Sequence, residues 1–214
     1  MGGGQAGEAS LLIASARALG IELTPERAGR LLALLDELER WNAAYNLTAV
    51  RDRAGMLTHH LLDSLAVHAD LAGVRVADVG TGAGFPGLPL AVLDPGRQFT
   101  LIDSNGKKTR FVAHAVRTLA LANVSVVQER VERFAPATPF DTVIARAFAP
   151  LPQLLEVIAG LTRPGTRVLA MKGRRPDAEL EAVHGPWRVI ETRALAIPGL
   201  GEARHLVVLE ASRR

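Results

Sequence analysis

The sequence predicts an α/β fold: a mostly parallel, doubly wound sheet that ends in an antiparallel hairpin and carries a helical N-terminal extension. Three observations predict it. Short apolar runs alternate with helix-length segments between Val74 and Lys172, and such alternation builds a parallel sheet with helices on both faces. The first apolar run leads into Asp78-Val79-Gly80-Thr81-Gly82-Ala83-Gly84-Phe85-Pro86-Gly87. An acidic residue with closely spaced glycines between a strand and a helix makes a turn that a ligand can approach closely. After Lys172 the alternation stops. The last two strand-like runs have Pro198-Gly199-Leu200-Gly201 between them, with no helix, so they pair antiparallel.

The extension comprises residues 1–73 and the core residues 74–214. Leu11, Leu12, Ala14, Ala18 and Leu19 line one face of a short helix, and the Gly-rich opening before them reads as frayed. Thr24-Pro25-Glu26 is a helix start, with Thr24 as cap and Pro25 in the first turn. Leu31, Leu34, Leu35, Leu38 and Trp41 then recur at helical spacing. A loop at Asn46-Leu47-Thr48 precedes a third helix over residues 54–69. In the core, strands are predicted over residues 74–79, 99–103, 124–127, 140–145 and 167–172. Helices are predicted over residues 88–93, 107–121 and 151–161. A further helix over 176–183 precedes the closing strands, 187–195 and 205–209. There is no internal repeat.

Composition narrows the class. With 214 residues, 48% hydrophobic and 22% charged, the chain can bury a full core, and its composition argues against disorder. No apolar run reaches the length of a bilayer span, and the N-terminus lacks the basic start of a secretory signal, so a cytoplasmic location is expected. The absence of cysteine excludes disulfides and cysteine-bound zinc, and no metal site is predicted. Net charge is only +3, but the pI is about 9.9. That fits a polyanionic partner and equally an Arg- and Ala-rich codon bias.

The turn could serve either of two cofactors. Gly82-Ala83-Gly84-Phe85-Pro86-Gly87 matches the dinucleotide pattern, but Pro86 and Pro89 remove N–H groups that a pyrophosphate needs. A nicotinamide-dependent oxidoreductase would also need a substrate domain for which the chain has no room. S-adenosylmethionine carries no phosphate, and its acidic-x-Gly-x-Gly-x-Gly signature is met in full by Asp78–Gly84. Asp103 ends the second strand, where an acidic residue accepts hydrogen bonds from ribose hydroxyls; the competing role is to cap the next helix. A parallel sheet that closes on an antiparallel pair is the Rossmann-like outline of the class I methyltransferases.

From about Trp41 to Leu209 the sequence resembles one family in particular, the bacterial 16S ribosomal RNA guanine-N7 methyltransferases, also called glucose-inhibited division protein B. The resemblance rests on Asn46-Leu47-Thr48-Ala49-Val50, His60-Leu61-Leu62-Asp63-Ser64-Leu65 and the glycine turn with its Phe85-Pro86-Gly87 ending. It continues through Asp103-Ser104, Lys107-Lys108, Arg146-Ala147-Phe148-Ala149-Pro150 and Met171-Lys172-Gly173, and closes on Arg204-His205-Leu206-Val207-Val208-Leu209. It implies methyl transfer from S-adenosylmethionine to N7 of one guanine in 16S ribosomal RNA, free or within the small-subunit particle. It implies cofactor contacts at Gly80, Phe85, Val131, Glu132 and Arg146, with Gly82 and Gly84 shaping the turn. Separately from the resemblance, a monomer is expected.

Guanine N7 has a lone pair and no proton, so no general base is needed and no catalytic residue is assigned. The cofactor and base need only be aligned. Lys107, Lys108, Arg110, Arg146, Lys172, Arg174, Arg175 and Arg204 fall near strand ends or loops where RNA phosphates could lie. Lys108, Lys172 and Arg204, with Asn46 and Thr48, form the candidate RNA-binding set. His60 and Asp63 lie three apart on a helix, suited to a structural hydrogen bond or an RNA contact. With 4% aromatic residues, only Trp41, Tyr45, Phe85 and Phe148 are candidates to stack on a base. The remaining alternative is a non-catalytic RNA-binding module on the same fold.

Overall fold

A computed structural model describes residues 2–212 of the chain. Helix α1 spans Gly2–Ala18 and α2 spans Pro25–Tyr45. The Gly-rich opening, expected to fray, is part of α1; only Met1 of that stretch lies outside the described residues. Glycines disfavour a helix, but α1 is anchored further along. Leu12 and Ala16 are fully buried, and Glu8 pairs with Arg53 Nε at 3.1 Å. The start of α2 is as read: Thr24 Oγ1 accepts from Arg27 N–H, and Pro25 opens the first turn. Asn46 ends α2 in the left-handed conformation.

The helix expected over residues 54–69 is instead a composite. Asp52 caps α3 (Arg53–Met56), a π-helical stretch covers Leu57–Leu62, and α4 covers Asp63–Leu65. A 3-10 turn at His68–Asp70 follows. Widening the turn keeps Leu57, Leu61, Leu62 and Leu65 buried. It also brings Asp63 and His60 into the interior with them.

The strands are β1 (Arg75–Val79), β2 (Gln98–Asp103), β3 (Val124–Gln128), β4 (Thr142–Arg146), β5 (Arg167–Lys172), β6 (Trp187–Ala194) and β7 (His205–Ala211). They form one sheet in the order β3-β2-β1-β4-β5-β7-β6. The first five are parallel; β7 runs antiparallel to both β5 and β6. Helices α5 (Gly87–Leu93) and α6 (Gly106–Thr118) join β1 to β2 and β2 to β3. Helix α7 (Leu151–Val157) and α8 (Asp177–Glu181) follow β4 and β5. Two apolar cores lie on the two sides of the sheet. One unites the N-terminal helices with α5 and α6; the other gathers α7 and the segment after it. Among the described residues no helix is long and apolar enough to cross a membrane.

Chain order reverses at the β1–β4 boundary, and ligands bind outside the carboxyl ends of strands at such a switch point. The N-terminal helices wall one side of that crevice, with the π-helical stretch facing the end of β4 through Arg146 and His59.

Candidate active site

The glycine turn leaves β1 at this switch point. Asp78 is buried, and its Oδ2 accepts hydrogen bonds from Thr81 Oγ1 (2.6 Å) and Gly87 N–H (2.8 Å). The acidic residue of the signature thus ties the two ends of the turn together. Burial pushes its carboxyl up to about 6, against the pull of those two hydrogen bonds. Gly80 and Gly82 have φ of 66° and 61°, a region that glycine enters without strain. A Cβ on Gly80 would overlap the Phe148 ring, and one on Gly84 would overlap Leu88. Gly84 therefore answers to packing within the protein. Gly82 is open: the nearest atom to a Cβ there is Lys108 Nζ, at 3.9 Å.

Beyond the turn is a cavity of about 260 Å³ lined by Gly80, Asp103, Lys108, Glu132 and Phe148 among others. Asp103 Oδ2 accepts from Gly82 N–H (2.9 Å) and Oδ1 from Asn105 N–H (2.8 Å). The helix-cap role considered for Asp103 belongs to Asn105, whose Oδ1 accepts from Lys107 and Lys108 N–H. Each Asp103 oxygen keeps a lone pair for a further donor. Val131 opens a 3-10 turn and points its side chain into the core, while Glu132 is exposed at the rim.

A second cavity, about 470 Å³, adjoins the first across Ala147, which lines both. Its charged lining comes from four places in the chain: Asp63, Arg146, Lys172 and Arg204. Arg146 Nη1 donates to Asp63 Oδ2 (2.9 Å) and to His59 O (2.8 Å). Arg204 Nε lies 3.4 Å from Asp63 Oδ1, and its Nη1 is 3.2 Å from Glu202 Oε2. Lys172 Nζ donates to Glu179 Oε2 (2.8 Å) and Ala149 O (2.9 Å). His60 is stacked on Phe85 with ring centroids 4.8 Å apart, and its Nε2 is 2.9 Å from Thr48 Oγ1. Burial, then the neighbouring Arg146, pulls His60 down to about 4. It is neutral at physiological pH, so the cavity's charge comes from the other groups.

The candidate residues thus divide. Gly80, Asp103, Lys108, Val131 and Glu132 meet at the smaller cavity, while Arg146, Lys172 and Arg204 meet at the larger. Asn46 and Thr48 serve local structure: Asn46 Oδ1 accepts from Arg51, and Thr48 holds His60. Phe85 is buried against His60 and cannot stack on a base. Trp41 packs among Tyr45, Phe111 and His114; Tyr45 and Phe148 stay exposed. His60 and Asp63 share no hydrogen bond, since each finds its partner elsewhere. Asp63, with one oxygen toward each of two arginines, is the residue that sequence reasoning undervalued. Its only signal was its place in His60-Leu61-Leu62-Asp63-Ser64-Leu65.

The model of the family described as GidB, rRNA small subunit methyltransferase G, matches residues 27–207. The chain belongs to this family. Named members include ribosomal RNA small subunit methyltransferase G of Nitrosococcus oceani, 47% identical over 195 residues and covering 91% of each chain. The protein of that name from Pseudomonas paraeruginosa is 50% identical over 193 residues, covering 89% of this chain and 90% of its own. In fold, the chain is similar to the glycopeptide N-methyltransferase MtfA, solved in complex with S-adenosylmethionine. The TM-score is 0.61 at 13% identity, over 72% of this chain and 88% of that one. The Rossmann-like class I methyltransferase architecture read from the sequence is the one found. Family membership sets aside the oxidoreductase alternative, in keeping with Pro86 and Pro89 in the turn.

Proposed function

We propose that the protein transfers a methyl group from S-adenosylmethionine to N7 of a guanine in small-subunit ribosomal RNA. The observation that carries this reading is the pair of cavities meeting at Ala147. The smaller fits a nucleoside: the open Gly82 admits it to the backbone, and Asp103 offers acceptors for ribose hydroxyls. The larger offers cations for phosphate and base oxygens, with Asp63 between two of them. When bound, S-adenosylmethionine supplies a methyl already activated on a sulfonium: the N7 lone pair forms the new bond as the carbon–sulfur bond breaks with both electrons on sulfur, and no proton moves. The residues of the chain therefore bind and align. Lys172 and Glu179 hold the segment after β4, which separates the cavities, through Ala149 O and Leu151 N–H. Phe148 from that segment covers Gly80.

The test is methyl transfer to RNA from cells lacking this protein, with the modified base identified by mass spectrometry. N7-methylguanine is expected. It should also yield a single protein-dependent strand break after reduction and aniline treatment. A methyl group on adenine or on a ribose hydroxyl would refute the assignment.

A further inference from the structure

We propose, on the reading above, that Asp63 recognises the target guanine directly, its carboxylate accepting the N1–H and 2-amino hydrogens while N7 is methylated. Asp63 is 1% exposed, yet its Oδ1 has no hydrogen-bond donor. Arg204 Nε, at 3.4 Å, is an ion-pair neighbour beyond normal hydrogen-bond length. A buried carboxylate oxygen without a donor is costly and calls for a donor supplied by something else. Asp63 lines the larger cavity, and it is the one carboxylate among the described residues that do so. The other charged groups there are Arg146, Lys172 and Arg204, all donors only.

Among the bases, only guanine presents two adjacent donors on its Watson–Crick edge, and a carboxylate presents two adjacent acceptors. Bases taken out of a stack are read on that edge. Oδ2 keeps a lone pair beyond the bond from Arg146 Nη1. Arg204 can withdraw its Nε from Oδ1 because Nη1 stays on Glu202 and on Ala203 O (3.1 Å). Entry of the base thus exchanges a long ion pair for a hydrogen bond.

The arrangement also favours the reaction. Methylation at N7 places a positive charge on the purine and makes its N1–H a stronger donor. Its bond to Asp63 strengthens as charge develops, which is stabilisation selective for the transition state. Asp63 remains an acceptor throughout and takes no proton.

A cycle between residue and base tests this. RNA is transcribed with guanosine or inosine at the mapped position; inosine keeps N1–H and N7 but lacks the 2-amino group. The wild-type protein should methylate the inosine RNA about tenfold more slowly, and Asp63→Asn should lower kcat on guanosine RNA on the order of a hundredfold, as for hydrogen bonds to a charged group. In Asp63→Asn the gap between the two RNAs should close. If Asp63 only positions the arginines, the variant will slow both RNAs equally and the gap will persist, which overturns the proposal. Equal wild-type rates on the two RNAs overturn it as well, without any variant. S-adenosylmethionine affinity of the variant, by calorimetry, should be unchanged. If Asp63→Asn does not fold, Asp63→Glu, which keeps the charge but displaces the acceptors, must narrow the same gap. Absence of N7 methylation on either RNA would refute the proposed function itself, an outcome distinct from a persistent gap.

Discussion

Asp78 carries an unusual burden for a signature residue, because both ends of the glycine turn hang on one of its oxygens while the other, Oδ1, is buried without a partner. Its carboxyl stands near 6 in the folded protein, against an ordinary 3.8. The folded state therefore holds this proton more tightly than the unfolded one. The resulting stabilisation is full below pH 3.8, fades as pH rises through 6, and amounts to about 3 kcal/mol. Asp78→Asn keeps an oxygen for Thr81 and Gly87 and cannot ionise. Melting temperatures should show the variant gaining on the wild type between pH 4 and about pH 7; a constant offset would mean that Asp78 is not the group responsible. Gly82 offers a second residue-level test. A Cβ there meets no protein atom closer than 3.9 Å. Gly82→Ala should weaken S-adenosylmethionine binding by about tenfold or more, with only the modest strain of a positive φ. Unchanged affinity in calorimetry would remove the cofactor from this turn.

Glu179 on α8 accepts from both Lys172 Nζ and Leu151 N–H, and so fastens the end of β5 to the start of α7. Glu179→Ala should cost about 1–3 kcal/mol by leaving partly buried donors unpaired. Hydrogen exchange at the Leu151 amide should accelerate; exchange at the wild-type rate would show that the segment needs no such latch. No spacing in the sequence announces this contact, since α8 was legible only as a short helical stretch. What was legible shares a cause. Apolar alternation and turn residues are local, and they located all seven strands to within a few residues. The antiparallel close followed from a missing helix between Leu195 and His205. The π-helical stretch was not legible, because one added residue per turn leaves leucines facing inward and the pattern still reads as an ordinary helix. The partners of Asp63 were hidden for a different reason. Arg146 and Arg204 are distant in the chain, and only the sheet order brings β4 and the start of β7 beside α4.

At the scale of the whole molecule, a net charge of +3 would steer RNA only weakly, so binding must depend on where the cations lie. Arg146, Lys172 and Arg204 are partly neutralised by Asp63, Glu179 and Glu202. Their contribution is therefore geometric more than long-range. Arg174 is exposed just past the cavity-lining Gly173, and Lys107 and Arg110 are exposed on α6, on either side of the cavity-lining Lys108. If RNA phosphates lie against these side chains, each phosphate neutralised releases counterions. RNA affinity should accordingly fall steeply with salt, whereas S-adenosylmethionine, which carries no phosphate, should show little dependence. Arg174→Ala should lower the slope of log affinity against log salt by about one while leaving cofactor affinity unchanged. Filter-binding titrations from low to physiological salt make the measurement. A slope near zero for the wild type would mean that shape and base contacts hold the RNA without phosphates, and the cations around the crevice would then serve only the fold.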